Sequence, residues 1–164
     1  MSPSTRHEMY KELIIRLADM IADKMGIDLE SRGSTTLKQK RFAQGAEPDT
    51  CFYVQNAARI IGKARIDLSI DPPPDIIVEI DVLHDSTDKL AFYAALGVPE
   101  LWHYDEHQAR IYHLIEQGYV EGSASRVFPA LTSGALSRFL EQSKTEGQSA
   151  VRRSFREWLR TAQE

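Results

Sequence analysis

The sequence predicts an α/β (α+β) protein, a mixed β-sheet flanked by helices, on three observations. Leu13, Ile14, Leu17, Ile21 and Met25 recur at helical spacing near the start of the chain. The run DIIVEIDVL, 75 to 83, is apolar on both faces and follows Pro72, Pro73 and Pro74, which favour extended chain before it. Next comes a short helical pattern that stops at Gly97, and then two strand-like runs, ELWHYD and ARIYHLI. Helices interleaved with strands in this way pack as layers around a sheet.

Each element has a local reason. The opening helix covers 5 to 25, and Gly26 suits a left-handed cap. Gly33-Ser34 divides IDLESRGSTTLKQKRF into two extended pieces, and CFYV, 51 to 54, is rich in strand formers. QNAARIIGKARIDLSIDPPP is polar and reads as a loop with room for one helical turn. After the strand at 75 to 83, Asp85 or Ser86 can accept from the free amides of a helix over 87 to 96. ELWHYD and ARIYHLI, joined by EHQ, form a hairpin, and the stretch from Gly118 to Pro129 holds further short extended pieces. Thr132 or Ser133 caps a helix through about 143, and Val151, Phe155, Trp158, Leu159 and Ala162 line a last one. The expected organisation is one domain over 1 to 164, with a C-terminal helical extension from about 145.

Composition narrows the function. No apolar run approaches the roughly 20 residues of a membrane span, and MSPSTRHEMYKEL lacks the apolar core of a signal peptide, so a cytoplasmic protein without membrane contact is expected. The single cysteine, Cys51, can form neither an internal disulfide nor a cysteine zinc site. A formal charge of -4 excludes a uniformly basic body, so any polyanion must be met locally. Lys38, Lys40 and Arg41 form one stretch that could do so, and Arg152, Arg153, Arg156 and Arg160 form another; each also suits an ordinary solvated face.

The chemistry concentrates around the apolar strand. Side chains alternate along it, so Asp75, Ile77, Glu79 and Asp81 share one face and Ile76, Val78, Ile80 and Val82 the other. Glu79 and Asp81 then sit about 7 Å apart, a gap that one hard divalent cation or a bridging water can span. Lys89, early in the next helix, has the reach to join them. Two readings fit this spacing. One is a metal-and-water site; the other is a paired core acid, with Lys89 lying alongside Phe92 and Tyr93. His84 fits a polar loop, and His103, His107 and His113 lack metal-ligand spacing. Cys51, Tyr93 and Trp102 read as core.

EPDTCFYV, PPPDIIVEIDV and DSTDKLAFYAALGVPELWHYD, in this order, resemble the Uma2-like restriction endonuclease family, a domain of unknown function within the PD-(D/E)XK nuclease superfamily. The resemblance runs from about residue 5 to 140, and GVPELWHYD after the lysine helix is its most specific piece. It implies a restriction-endonuclease-like sheet and a site made from the acid of a Pro-Asp step, a glutamate on the next apolar strand and a lysine displaced onto the following helix. These correspond to Asp49 after Pro48, to Glu79 and to Lys89. The superfamily's usual lysine position, two after the glutamate, holds Asp81 instead, so Lys89 would have to stand in for it. The Pro74-Asp75 step also matches the name-giving motif, but Asp75 lies on the same strand as Glu79, and two adjacent strands bring acids to one ion more readily.

By resemblance, the chemistry is metal-dependent hydrolysis of DNA. Asp49, Glu79 and the backbone carbonyl of Ile80 would hold Mg²⁺, with Mn²⁺ able to substitute. Lys89 would orient the attacking water and stabilise the phosphorane, and Asp81 would bind a second ion or tune Lys89. A homodimer is implied as well, with the hairpin around Trp102, Tyr104 and Tyr112 offering the apolar surface. Two other classes remain open: an inactive nuclease-like domain that binds nucleic acid or protein, and an enzyme acting on another phosphate ester.

Overall fold

The structure, a computed structural model, describes residues 4–42, 45–82 and 87–162. Helix α1, Thr5–Met25, begins where the Ser4 hydroxyl accepts from the His7 amide at 3.1 Å, and it ends where Gly26 adopts φ 69°. Its stripe of Tyr10, Leu13, Ile14, Leu17 and Ile21 is buried, as the helical spacing requires.

Six strands follow among the described residues: β1, Glu30–Ser31; β2, Thr50–Tyr53; β3, Ile76–Ile80; β4, Glu100–Tyr104; β5, Ala109–Ile115; and β6, Gly118–Gly122. They form one mixed sheet whose spatial order follows chain order. Neighbours are antiparallel except β3 and β4, which are parallel and joined through helix α3, Leu90–Leu96. A parallel pair cannot be joined by a tight hairpin, so the helix is the crossover.

Strand β3 lies inside the sheet, and all five of its residues are buried, which is why its sequence is apolar on both faces. Ile76, Val78 and Ile80 pack into a cluster with α1 and with Phe139 and Phe155 of helix α4, Ser133–Thr161. Ile77 faces the other way, into a cluster with Cys51, Leu37, Tyr93, Leu96 and Leu101. The two clusters give the sheet a thick helical layer on one face and a thin one, built on α3, on the other.

Several local expectations are corrected. The second extended piece before residue 42 does not form a strand; Leu37 makes only an isolated bridge with Ala46. The helix expected over 87 to 96 begins as a 3₁₀ turn, Thr87–Lys89, while the caps assigned to Asp85 or Ser86 lie outside the described residues. One short helix, α2, Ala57–Ile60, occupies the polar loop. The two C-terminal helices are continuous but for a break at Gly147, whose φ of 84° and ψ of 169° a side chain would resist. Trp102 and Tyr104 are 2% and 1% exposed and belong to the protein's own core, so of the three aromatic residues expected to offer a second copy an apolar surface only Tyr112 is half-buried. Among the described residues, no helix is long and apolar enough to cross a membrane.

Candidate active site

The β2–β3 register places Thr50 opposite Val78, so one step further along the pair Asp49 stands across from Glu79. Asp49 falls in the bend just before β2. Its Oδ2 accepts from the Ile80 amide at 2.6 Å, which ties the bend to the end of β3. Within a strand the amide and carbonyl of one residue point to the same side, so the Ile80 carbonyl is directed toward the Asp49 side too.

Glu79 is 1% exposed. Its Oε1 accepts from the Tyr93 hydroxyl at 2.5 Å and lies 3.4 Å from Lys89 Nζ. Burial is the main cause that pushes its carboxyl up to about 8. The Tyr93 bond and Lys89 oppose this, while the nearby Asp49 carboxylate adds to it through charge and through a shared hydrogen bond. At neutral pH, Glu79 therefore holds a proton where a cation could stand. Lys89 Nζ is also anchored on the Glu47 carbonyl at 3.1 Å, which fixes the ammonium at the mouth of the pair.

The expected residues thus separate by their surroundings. Asp49, Glu79, the Ile80 backbone and Lys89 come together at one end of β3. Asp81 lies just beyond the strand on the same side as Glu79 and pairs with His103 Nε2 at 2.8 Å. Asp75, the rival for the Pro-Asp role, is at the other end, where it accepts from the amides of Val54 at 2.6 Å and Asn56 at 3.2 Å and from the Asn56 side chain at 3.3 Å. Cys51 is buried and its thiol is pushed up to about 12 by that burial, so it is an inert core residue. His84 lies outside the described residues.

Three residues escaped the sequence reading. Tyr93, assigned to the core, is buried but spends its hydroxyl on Glu79; its spacing of four from Lys89, on one helical face, was the available signal. His7 Nε2 lies 3.0 Å from Asp49 Oδ1, reaching it from the start of α1. Nothing in the sequence ties those two residues together. His103 faces Glu79 across the β3–β4 register, and Arg110 faces His103 across β4–β5, so Glu79, His103 and Arg110 form one row across three strands, extended by Asp49 in the bend before β2. That row depends on pairings no local pattern encodes.

The family model named Uma2 and described as "Putative restriction endonuclease" matches residues 1–142. The chain belongs to the Uma2 family. Among solved structures it is similar to a protein from Anabaena variabilis ATCC 29413, described as "a putative nuclease belonging to DUF820", with a TM-score of 0.59 at 15% identity over 85% of this chain and 84% of that one. At that identity the likeness shows the fold, a mixed sheet of nuclease-like type. No curated protein sequence matches the chain. The residues after 142, among them the second half of α4, lie outside the Uma2 match.

Proposed function

We propose that this Uma2 protein is a divalent-metal-dependent DNA endonuclease, with Asp49, Glu79 and Lys89 as its working residues. The observation that carries the reading is Glu79: a buried carboxyl facing a second carboxyl, with a lysine at the opening, is costly for folding alone and suits a bound cation. Family membership supports nuclease chemistry; DNA as substrate and Mg²⁺ as the ion are the finer part of the proposal.

The donors fit a hard ion. Asp49, Glu79 and the Ile80 carbonyl supply oxygen only, and Mg²⁺ commonly takes one or two carboxylates and keeps several waters. Among the described residues no group of three or more His, Cys, Asp or Glu side chains could hold a metal, so the proposed ion would rest on two carboxylates, a carbonyl and water. When bound, such an ion polarises the phosphate and makes a water more acidic. The chain's own part is positional. The Ile80 amide and His7 hold the two oxygens of Asp49, and Tyr93 orients Glu79. Lys89, held by the Glu47 carbonyl, places a positive charge where the attacked phosphate gathers negative charge. Asp81 is occupied by His103, so its role is to position rather than to take the place of the superfamily lysine.

The test is cleavage of plasmid, linear duplex, single-stranded and branched DNA with Mg²⁺ or Mn²⁺. Glu79→Ala should abolish divalent-dependent cleavage and weaken Mn²⁺ binding, because a ligand is lost. Lys89→Ala should lower cleavage by roughly 10²- to 10³-fold while leaving Mn²⁺ affinity intact. A wild-type protein that neither binds Mn²⁺ nor cuts any of these substrates would refute the reading.

A further inference from the structure

The sequence offers two basic stretches, and the fold brings only one of them to Lys89. Lys38 shares with Lys89 the wall of an open cleft of about 680 Å³, which Thr36, Glu47, Asp88 and Phe92 also line. A second cleft of about 360 Å³ shares Lys38 and is lined further by Gln39, Lys40, Ser69 and Asp67, whose carboxylate feels the charge of Lys40. Lys38 therefore links the two, and three lysines mark one path outward from the proposed site.

The local structure holds Lys38 there. Leu37 is fully buried in the cluster with Tyr93 and Ile77, and its backbone is bridged to Ala46 in both directions, at 2.7 and 2.9 Å. Gly45 packs so closely that a Cβ would stand 2.8 Å from the Leu37 carbonyl oxygen. One residue beyond this anchor, Lys38 is exposed and makes no ion pair among the described residues. The acids along the path are partly engaged locally. Glu47 accepts from the Thr36 hydroxyl at 2.9 Å, and Asp67 accepts from the Ser69 amide and hydroxyl at 3.0 and 2.6 Å. Asp88 is exposed and remains a counter-charge at the rim. Phe92, stacked edge-on against Phe42 at 5.6 Å, gives the cleft an apolar wall for a sugar or base.

The C-terminal arginines are placed otherwise. The second half of α4 packs Phe155 and Trp158 against Phe139, in the cluster under the opposite face of the sheet from Glu79. Arg160 is paired with Glu157 on its own helix.

We propose that Lys38 and Lys40 form a phosphate track along which a DNA strand leaves the site beyond Lys89. The track rests on the nuclease reading but is tested apart from it, through binding. A fluorescein-labelled DNA duplex is titrated with the full chain in Ca²⁺, over a range of salt concentrations. The Lys38→Ala/Lys40→Ala double variant should bind about tenfold more weakly and lower the slope of log affinity against log salt by about two, one for each lost phosphate contact. Lys38→Arg/Lys40→Arg should keep both values, and Arg153→Ala/Arg156→Ala should change neither. Melting temperature and Mn²⁺ affinity should stay at wild-type values in every variant. An unchanged slope in the lysine-to-alanine variant would overturn the track, as would an equal loss in the arginine variant or a wild type that binds no duplex. If the wild type binds through these lysines but never cuts, the nuclease reading fails and the track stands; if it cuts and the lysine variant binds normally, the reverse holds.

Discussion

Asp75 and Glu79 sit four residues apart at the two ends of one buried run, 3% and 1% exposed, yet their surroundings differ. Asp75 is surrounded by donors: two backbone amides and a side-chain amide converge on its carboxylate. It stitches the chain after β2 to the start of β3, as a buried acid in a structural role should. Glu79 has a tyrosine hydroxyl, a lysine at 3.4 Å and a second carboxyl nearby, and burial, aided by that carboxyl, raises its proton affinity against the pull of Tyr93 and Lys89. A third buried acid, Glu100, sides with Asp75: Trp102 Nε1, the Ser125 hydroxyl and the Arg126 amide all donate to it at 2.6 to 2.8 Å. Burial alone does not mark a working carboxylate. What separates Glu79 from the other two is a second carboxyl, Asp49, beside its own donors Tyr93 and Lys89.

The sharpest way to break this comparison is to remove each acid in turn. Asp75→Ala should cost about 3 kcal/mol, because it leaves amide groups without an acceptor in a partly buried turn. Glu79→Ala should cost little in the metal-free protein at pH 8, and a gain in stability is consistent, since the substitution relieves a strained carboxyl pair. Urea denaturation with a chelator present measures both. Equal and large losses would mean that Glu79 is a core ion-pair partner of Lys89 and not a site residue.

Acidity sharpens the same contrast by a second route. Glu79 titrates near 4.5 as a free side chain and at about 8 in the fold, so the folded state holds the proton more tightly. Its favourable contribution is complete below the lower value and is lost as pH rises toward the upper one. Metal-free stability should therefore fall between about pH 5 and 8, by at most roughly 1.4 kcal/mol per unit. The fall should disappear in Glu79→Ala and flatten when Mn²⁺ replaces the proton. Asp67, Asp71 and Asp105, all held below the usual carboxylate range, act in the other direction, and their contribution is lost only as pH drops into the acid range. Thermal melts across that range, with and without Mn²⁺, check the sign. A metal-free protein whose stability rises steadily from pH 5 to 8 would contradict it.

The chain announces the parts of this arrangement that are local and withholds those that are not. The apolar run fixed β3 and the alternation of its faces, and the spacing from Glu79 to Lys89 survived because a strand, a turn and a helix lie in continuous sequence. Resemblance and the reach of two adjacent strands point to Asp49 over Asp75; in the structure Asp75 is held by donors at the far end of β3, while Asp49 stands across from Glu79. The extended piece after Gly33 did not become a strand, because Leu37 is used as an anchor under α3 and the residues around it turn. His103 was set aside for want of metal-ligand spacing, and its pairing with Asp81 emerges only from a parallel register set by where the crossover helix returns the chain. His7 is the extreme case, 42 residues from Asp49 in sequence and 3.0 Å from it in space.

His7 also yields the smallest effect that still discriminates. Both oxygens of Asp49 are held, one by the Ile80 amide at 2.6 Å and one by His7 at 3.0 Å, whereas Asp75 is held by groups of the turn it stitches. If Asp49 is a ligand, His7 is an outer partner that fixes the carboxylate's orientation, and losing such a partner typically weakens metal binding by 10- to 100-fold. His7→Ala should therefore lower Mn²⁺ affinity about tenfold, while melting falls by only a few degrees, since the Ser4 cap bonds the His7 backbone and not its ring. His7→Gln can still offer an N–H toward Asp49 Oδ1 and should recover most of the affinity. Calorimetric Mn²⁺ titration of the three proteins, paired with their melts, reads the outcome. Should alanine and glutamine bind Mn²⁺ as tightly as histidine, His7 is a packing residue and Asp49 is oriented by the Ile80 amide alone; should both variants lose stability together with affinity, α1 holds the sheet end by packing, and the carboxylate is no better positioned for a metal than Asp75.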